Sequence, residues 1–275
     1  MRSIAAENRA SRSFQQLTPP RFEASVAPMF PIRDHNPSGR TPFVVYTLIV
    51  ANLLGFAMSG AMTVDDGAMM VVFADWALIP ARVSAGRDWS TFVSSMFLHG
   101  GWMHLLGNML FLWIFGDNLE DAMGHLGFAL FYLAAGIGAG IIHVISAPGS
   151  PVPTVGASGA IAGVMGGYLL LFPRARIDVL LIVVVFFRVF AVPAWVMLGV
   201  WAGFQLLGSM VSDPNVGGIA YWAHSGGFAV GLVLTVPVWI RRGGIGWWRR
   251  NHGKPPHPQG EYKLVRSRIP RVPRR

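Results

Sequence analysis

The chain has 275 residues, 53% of them hydrophobic and only 13% charged, with a mean hydropathy of +0.48. Soluble domains carry about 25% charged residues, so the solvent for most of this chain is lipid. The absence of cysteine excludes disulfides, thiolate metal sites and cysteine nucleophiles. The net charge of +9 sits at the flanks: six of the 22 Lys and Arg precede residue 43 and eleven follow Ile240. Basic residues just outside apolar spans fit the positive-inside rule. With no aromatic interleaving or binding motif beside them, nucleic acid is not an expected partner, whereas membrane lipid headgroups are.

In chain order, residues 1–42 are rich in Ser, Arg and Pro without periodicity and read as a flexible cytoplasmic N-terminal tail. No signal peptide is expected, because the first apolar run begins at Phe43 and is too long for an h-region. A spanning helix needs about 20 apolar residues. Six runs qualify, at 43–62, 101–118, 126–146, 156–172, 192–211 and 220–240. The fold class is therefore all-α: a polytopic membrane bundle of six transmembrane helices in one domain, 43–240, followed by a basic cytoplasmic tail, 241–275. A seventh run, Val179–Phe187, is too short to span and is expected to dip into the interface or cover the bundle. Arg188 at mid-membrane would cost about 2.5–3.5 kcal/mol.

An even count of spans puts both basic tails on the cytoplasmic side, with Arg174 and Arg176. Asp117, Glu120 and Asp121 fall there too, a mild dissent that carries little weight for orientation. The connection 63–100 is long enough to be functional, and its Trp76 and Trp89 suit a membrane interface. The ten Trp fall largely near span ends, as interface anchors should.

Polar residues inside the spans carry the chemistry. His104 and Asn108 stand four apart on one face of the second span, with His99 just before it. Ser158 opens the fourth span within Gly156-Ala157-Ser158-Gly159, and His224 lies near the start of the sixth. In this topology all three helix starts are on the outer side. Gly159, Gly163 and Gly167 are matched by Ala223, Gly227 and Gly231 in the sixth span. Small-xxx-small faces let two backbones touch, which would bring Ser158 within hydrogen-bond reach of His224.

A neighbouring imidazole turns a serine hydroxyl into a nucleophile. Free N–H groups at the start of the fourth span, with His104 and Asn108, would hold the oxyanion. No buried acid offers itself as a third member, so the expectation is a dyad, and Gly-Ala-Ser-Gly is not the nucleophile elbow of soluble hydrolases. Taken singly, a serine in a membrane helix is more often back-bonded and a histidine more often structural. His143, without partners, is read as packing, and His125 with Glu120 as loop hydrogen bonding. No cofactor and no metal are expected.

These residues resemble the rhomboid intramembrane serine proteases. The resemblance rests on His104 with Asn108, on Gly156-Ala157-Ser158-Gly159, and on Ala223-His224 followed by Gly227 and Gly231. His99 and Glu120 also fit, and the likeness covers roughly 43–240. It implies a catalytic Ser158–His224 dyad in a water-filled cavity, His104, Asn108 and the Ser158 amide at the oxyanion, and supporting roles for His99, Gly156, Gly159 and Gly227. It also implies transmembrane-protein substrates, a membrane-embedded first loop at 63–100, and a fifth span that gates substrate entry. Two features depart from the family: Ala162 stands where some members stack a tyrosine on the catalytic histidine, and the first-loop Trp-Arg pair survives only as Arg87-Asp88-Trp89. The alternatives are a small-solute transporter, which would show internal repeats, and a non-catalytic client-binding relative, which would lack the serine or histidine. The expected location is a bacterial cytoplasmic membrane, with an organelle inner membrane second.

Overall fold

The computed structural model describes residues 29–59, 66–183, 186–213 and 215–255. The tail expectations for 1–28 and 256–275 lie outside these residues. Each of the six apolar runs forms a helix: α1 (Phe43–Met58), then, after α2 (Asp66–Trp76), α3 (Pro80–Ser84) and α4 (Thr91–Ser94), α5 (Trp102–Met123), α6 (His125–Ser146), α7 (Ser158–Leu171), α8 (Ala194–Val211) and α9 (Tyr221–Arg241). By length and composition α6, α8 and α9 can cross a membrane, while α1 and α7 are shorter apolar helices. The protein is a polytopic helical membrane bundle. A short helix, α10 (Gly244–Asn251), follows the last span.

α7 is the axis of the bundle. From Ala160 to Tyr168 every residue is buried, among Leu112, Phe115, Leu119, Phe128 and Tyr132 of α5 and α6. Its other neighbour is α9, and there the small residues decide the geometry. A Cβ at Gly231 would run into the Gly163 carbonyl, one at Gly227 into that of Gly159, and one at Gly166 into that of Phe228. Lipid removes the hydrophobic drive between helices, so close backbone packing of this kind holds the pair together. α8 is peripheral by contrast. Ala194, Leu198 and Ser209 are its buried residues, while Phe204, Leu206, Leu207, Met210 and Val211 face outward.

The helical bundle carries one minor addition. β1 (Met29–Asp34), β2 (Arg176–Val183) and β3 (Phe186–Pro193) form a three-stranded antiparallel sheet in that order. β1 falls within the segment read as a flexible tail, and the seventh apolar run, expected to dip into the interface or cover the bundle, belongs to the β2–β3 pair. Its β-branched and aromatic residues favour strands, but a run of nine cannot be assigned by periodicity alone. The hairpin does cover the bundle, since Ile177 and Val179 are buried in the main core. Arg188 is exposed on β3. Asp178 ties β1 to β2 by accepting from Arg33 Nε at 2.6 Å and pairing with His35 Nε2 at 2.8 Å. Burial pushes the Asp178 carboxyl up, but hydrogen bonds from His35 and Arg33 outweigh it and hold it below its ordinary value.

The sheet meets the C-terminal ends of α5 and α7, where acidic side chains act as fasteners. Glu120, 1% exposed, accepts the N–H groups of Val44 and Val45 at 2.9 Å each and pairs with His125 Nδ1 at 2.5 Å. It thus caps the free N–H groups at the start of α1 and the loop into α6 together. Tyr168 donates to Asp34 Oδ2 at 2.7 Å. Burial, with Asp117 close by, pushes the Asp34 carboxyl up to about 8. Asp121 accepts from the Gly39 N–H at 3.1 Å and pairs with Arg40 at 3.7 Å. Trp248 of α10 donates to the Leu170 carbonyl at 3.1 Å, closing this end of α7.

At the opposite end the 63–100 connection braces the segment leading to Ser158. Leu78 and Thr154 exchange backbone hydrogen bonds at 2.8–3.0 Å, and the Gly156 N–H donates to Ser95 O at 2.9 Å. Trp76 and Trp89 are exposed, 56% and 64%.

Candidate functional site

Three helix starts meet at the end braced by Leu78 and Ser95. Ser158 is the first residue of α7, and His224 lies one turn into α9. The α7–α9 glycine contacts set the separation of the two backbones, and His224 Nε2 comes to rest 2.7 Å from Ser158 Oγ. The hydrogen bond inferred from the small-residue faces is present.

Gly156 is the hinge of the arrangement. Its φ of +123° lies in the region that favours glycine. Its missing side chain matters equally: a Cβ would lie 2.7 Å from His104 Nε2 and 3.6 Å from Ser158 Oγ. His104 therefore faces the serine across Gly156. Its other nitrogen, Nδ1, accepts the Gly100 N–H at 3.5 Å, leaving Nε2 to carry the ring proton on the serine side. His99, fully buried, packs edge-on to His104 with ring centroids 5.1 Å apart.

Asn108 lies one turn below His104 and is buried; its Nδ2 donates to the His104 carbonyl at 2.9 Å. One amide hydrogen is thus committed to its own helix and the second is available. The N–H groups of Ser158, Gly159 and Ala160 belong to the first turn of α7, where helices have no internal acceptor for them. Hydroxyl, imidazole, two side-chain donors and a helix N-terminus thus share one end of the bundle. Gly159 and Gly227 sit beside this cluster at the α7–α9 contact.

Two side chains at the site escape a reading of the sequence. Gln205 of α8 places Oε1 2.8 Å from His224 Nδ1. Trp201, one turn earlier, sets its ring 6.0 Å from the imidazole at an interplanar angle of 32°. A glutamine in an otherwise apolar span was the available signal. Trp201 corrects the view of the tryptophans as interface anchors, since it stands in mid-helix against the histidine. His143 is not partnerless either: its Nε2 meets Thr154 Oγ1 at 2.8 Å, beside the Leu78 bridge.

The rhomboid domain family matches residues 86–241, the stretch that contains every one of these groups. Among curated proteins the chain is similar to Rhomboid-like protein 11, chloroplastic, of Arabidopsis thaliana, at 34% identity over 55% of this chain and 52% of the relative. It is also similar to Rhomboid protein 1, mitochondrial, of Saccharomyces cerevisiae (30% identity, 58% of this chain, 45% of the relative). A third relative is the Rhomboid protease GluP of Bacillus subtilis (32% identity, 56% of this chain, 27% of the relative). The chain spans about half the length of the first of these relatives and less of the other two.

Proposed function

The chain belongs to the rhomboid family, and on that premise we propose that it is an intramembrane serine endopeptidase using Ser158 and His224 as a catalytic dyad. The observation that carries this reading is the 2.7 Å hydrogen bond from Ser158 Oγ to His224 Nε2, made between two helices and half-buried in the bundle. His224 Nε2 takes the Ser158 proton as Oγ attacks the scissile carbonyl, then returns it to the leaving amine. The displaced electron pair sits on the carbonyl oxygen, where His104, Asn108 and the first-turn N–H groups of α7 stabilise it. Water then attacks the acyl-enzyme, with His224 again as base. Every step runs on side chains and backbone, with no call for a metal or cofactor.

The substrates in this reading are transmembrane proteins, cut in or beside a membrane segment that unwinds near Ser158. Residues 43–240 are the protease domain, flanked by cytoplasmic tails at 1–42 and 241–275, with the Ser158 end facing outward. A bacterial cytoplasmic membrane is the proposed location; organelle membranes come next, given the chloroplastic and mitochondrial relatives. The test is cleavage of a reporter with a helix-destabilised transmembrane segment, comparing the native protein with Ser158→Ala. Ser158→Ala cleaving as fast as native ends the protease reading. A fluorophosphonate probe is expected to label the native chain and spare Ser158→Ala.

A further inference from the structure

Resting on the protease reading, we propose that Gln205 is a positioning residue that holds His224 in the tautomer able to deprotonate Ser158, so that the dyad is completed from α8. A neutral imidazole has one N–H and one lone pair, and only the lone pair can accept the serine proton. Gln205 Oε1 is a carbonyl oxygen and can only accept. Its 2.8 Å contact therefore draws the ring proton to Nδ1 and leaves the Nε2 lone pair facing Ser158 Oγ at 2.7 Å. A buried acid does this work in soluble triads. Inside a membrane an ionised carboxylate is costly to bury, whereas an amide oxygen sets the tautomer and supports the developing imidazolium with a dipole.

Gln205 does not act alone on its helix. Trp201, Gln205 and Ser209 recur every fourth residue and so form one stripe of α8. Trp201 lies against the imidazole, and Ser209 Oγ meets Ser225 Oγ at 3.0 Å, next to His224. Ser209 also donates to the Gln205 carbonyl at 2.9 Å. One turn of α9 is therefore addressed by three turns of α8, in a helix whose Phe204, Leu206, Leu207, Met210 and Val211 face outward. Trp201 supplies from α8 the ring that Ala162 cannot supply from α7. The dyad is then competent only while α8 is seated, because any displacement of α8 carries Gln205 and Trp201 away from the histidine together.

The experiment uses the full chain in detergent micelles and two readouts. Nitrogen NMR of isotopically labelled histidine, with the His224 signals assigned by their loss in His224→Ala, reports the tautomer directly and needs no catalysis. The native protein is expected to carry the His224 proton on Nδ1; a proton on Nε2 overturns the proposal. In kinetics, Gln205→Met keeps the length of the side chain and removes the acceptor. It is expected to lower kcat about 10–100-fold with KM little changed, while Gln205→Glu, which keeps an oxygen at the same reach, recovers most of the rate. Gln205→Met as fast as native, with Ser158→Ala inert, defeats the Gln205 assignment and leaves the protease reading standing. Ser158→Ala as active as native defeats the protease reading instead, and the NMR result still decides the tautomer.

Discussion

Both ends of α7 gather polar side chains and use them in opposite ways. At the C-terminal end, Glu120 satisfies two N–H groups and an imidazole, Tyr168 is bonded to Asp34, and Asp178 to Arg33 and His35. These groups tie helices and sheet, and their hydrogen-bonding capacity is absorbed in doing so. At the N-terminal end, Ser158, His224, His104 and the first-turn N–H groups converge; His224 is bonded at both nitrogens, while the Ser158 lone pairs, His104 Nε2 and the N–H groups keep capacity in reserve. A buried polar group with its bonds used up is a fastener, whereas one held in place with a lone pair or hydrogen to spare can react. Burial and hydrogen bonding separate the two cases together: Glu120, Tyr168 and Asp178 are buried and bonded, whereas Ser158 and His224 are half-buried and His104 is exposed.

Substitutions can break or sharpen this contrast. The largest effect is expected at the reactive end: Ser158→Ala or His224→Ala should lower reporter cleavage by about 10⁴-fold or more, with thermal unfolding unchanged. A parallel loss of stability would make these residues fasteners as well. Asn108→Ala is expected to cut the cleavage rate about 10²–10³-fold while fluorophosphonate still labels Ser158, as for the loss of one oxyanion donor. At the opposite end, Glu120→Ala should leave three groups without their acceptor and destabilise the fold by about 3 kcal/mol in denaturant unfolding. The activity per folded molecule should stay native there.

The smallest effect belongs to Asp178. Its folded-state pKa lies below the ordinary value, so its contribution is fully present above pH about 4 and is lost as pH falls through the lowered pKa. Asp178→Asn should flatten the acid side of the stability profile and cost about 1 kcal/mol near neutral pH, because its partner Arg33 is nearly half-exposed and screened.

Much of the bundle was legible in the chain because lipid imposes strict rules on sequence. A run of about 20 apolar residues has one stable solution in hydrocarbon, and each such run became a helix. The glycine spacing of the fourth and sixth spans was equally readable, since small residues at i and i+4 leave a backbone exposed to its neighbour on one face. From that followed the Ser158–His224 contact. The sheet was not readable. Val179–Phe187 is apolar and short, and only the pairing of Arg176–Val183 with Met29–Asp34 and Phe186–Pro193 selects strands there. The fastening role of Glu120 was also hidden, because Val44 and Val45 lie 76 and 75 residues away in the chain.

The sequence by itself determined the solvent, the number of long apolar segments, and which serine and histidine could meet. These depend on composition and local periodicity, which each segment carries alone. What only the tertiary structure decided is which side chain faces the far nitrogen of His224. Gln205 shares an apolar helix with one other polar residue, Ser209, and nothing local says where it points. Its partner follows from how α8 rotates against α9, and that rotation is set jointly by Trp201 on His224, Ser209 on Ser225 and Gly208 under the Tyr221 ring.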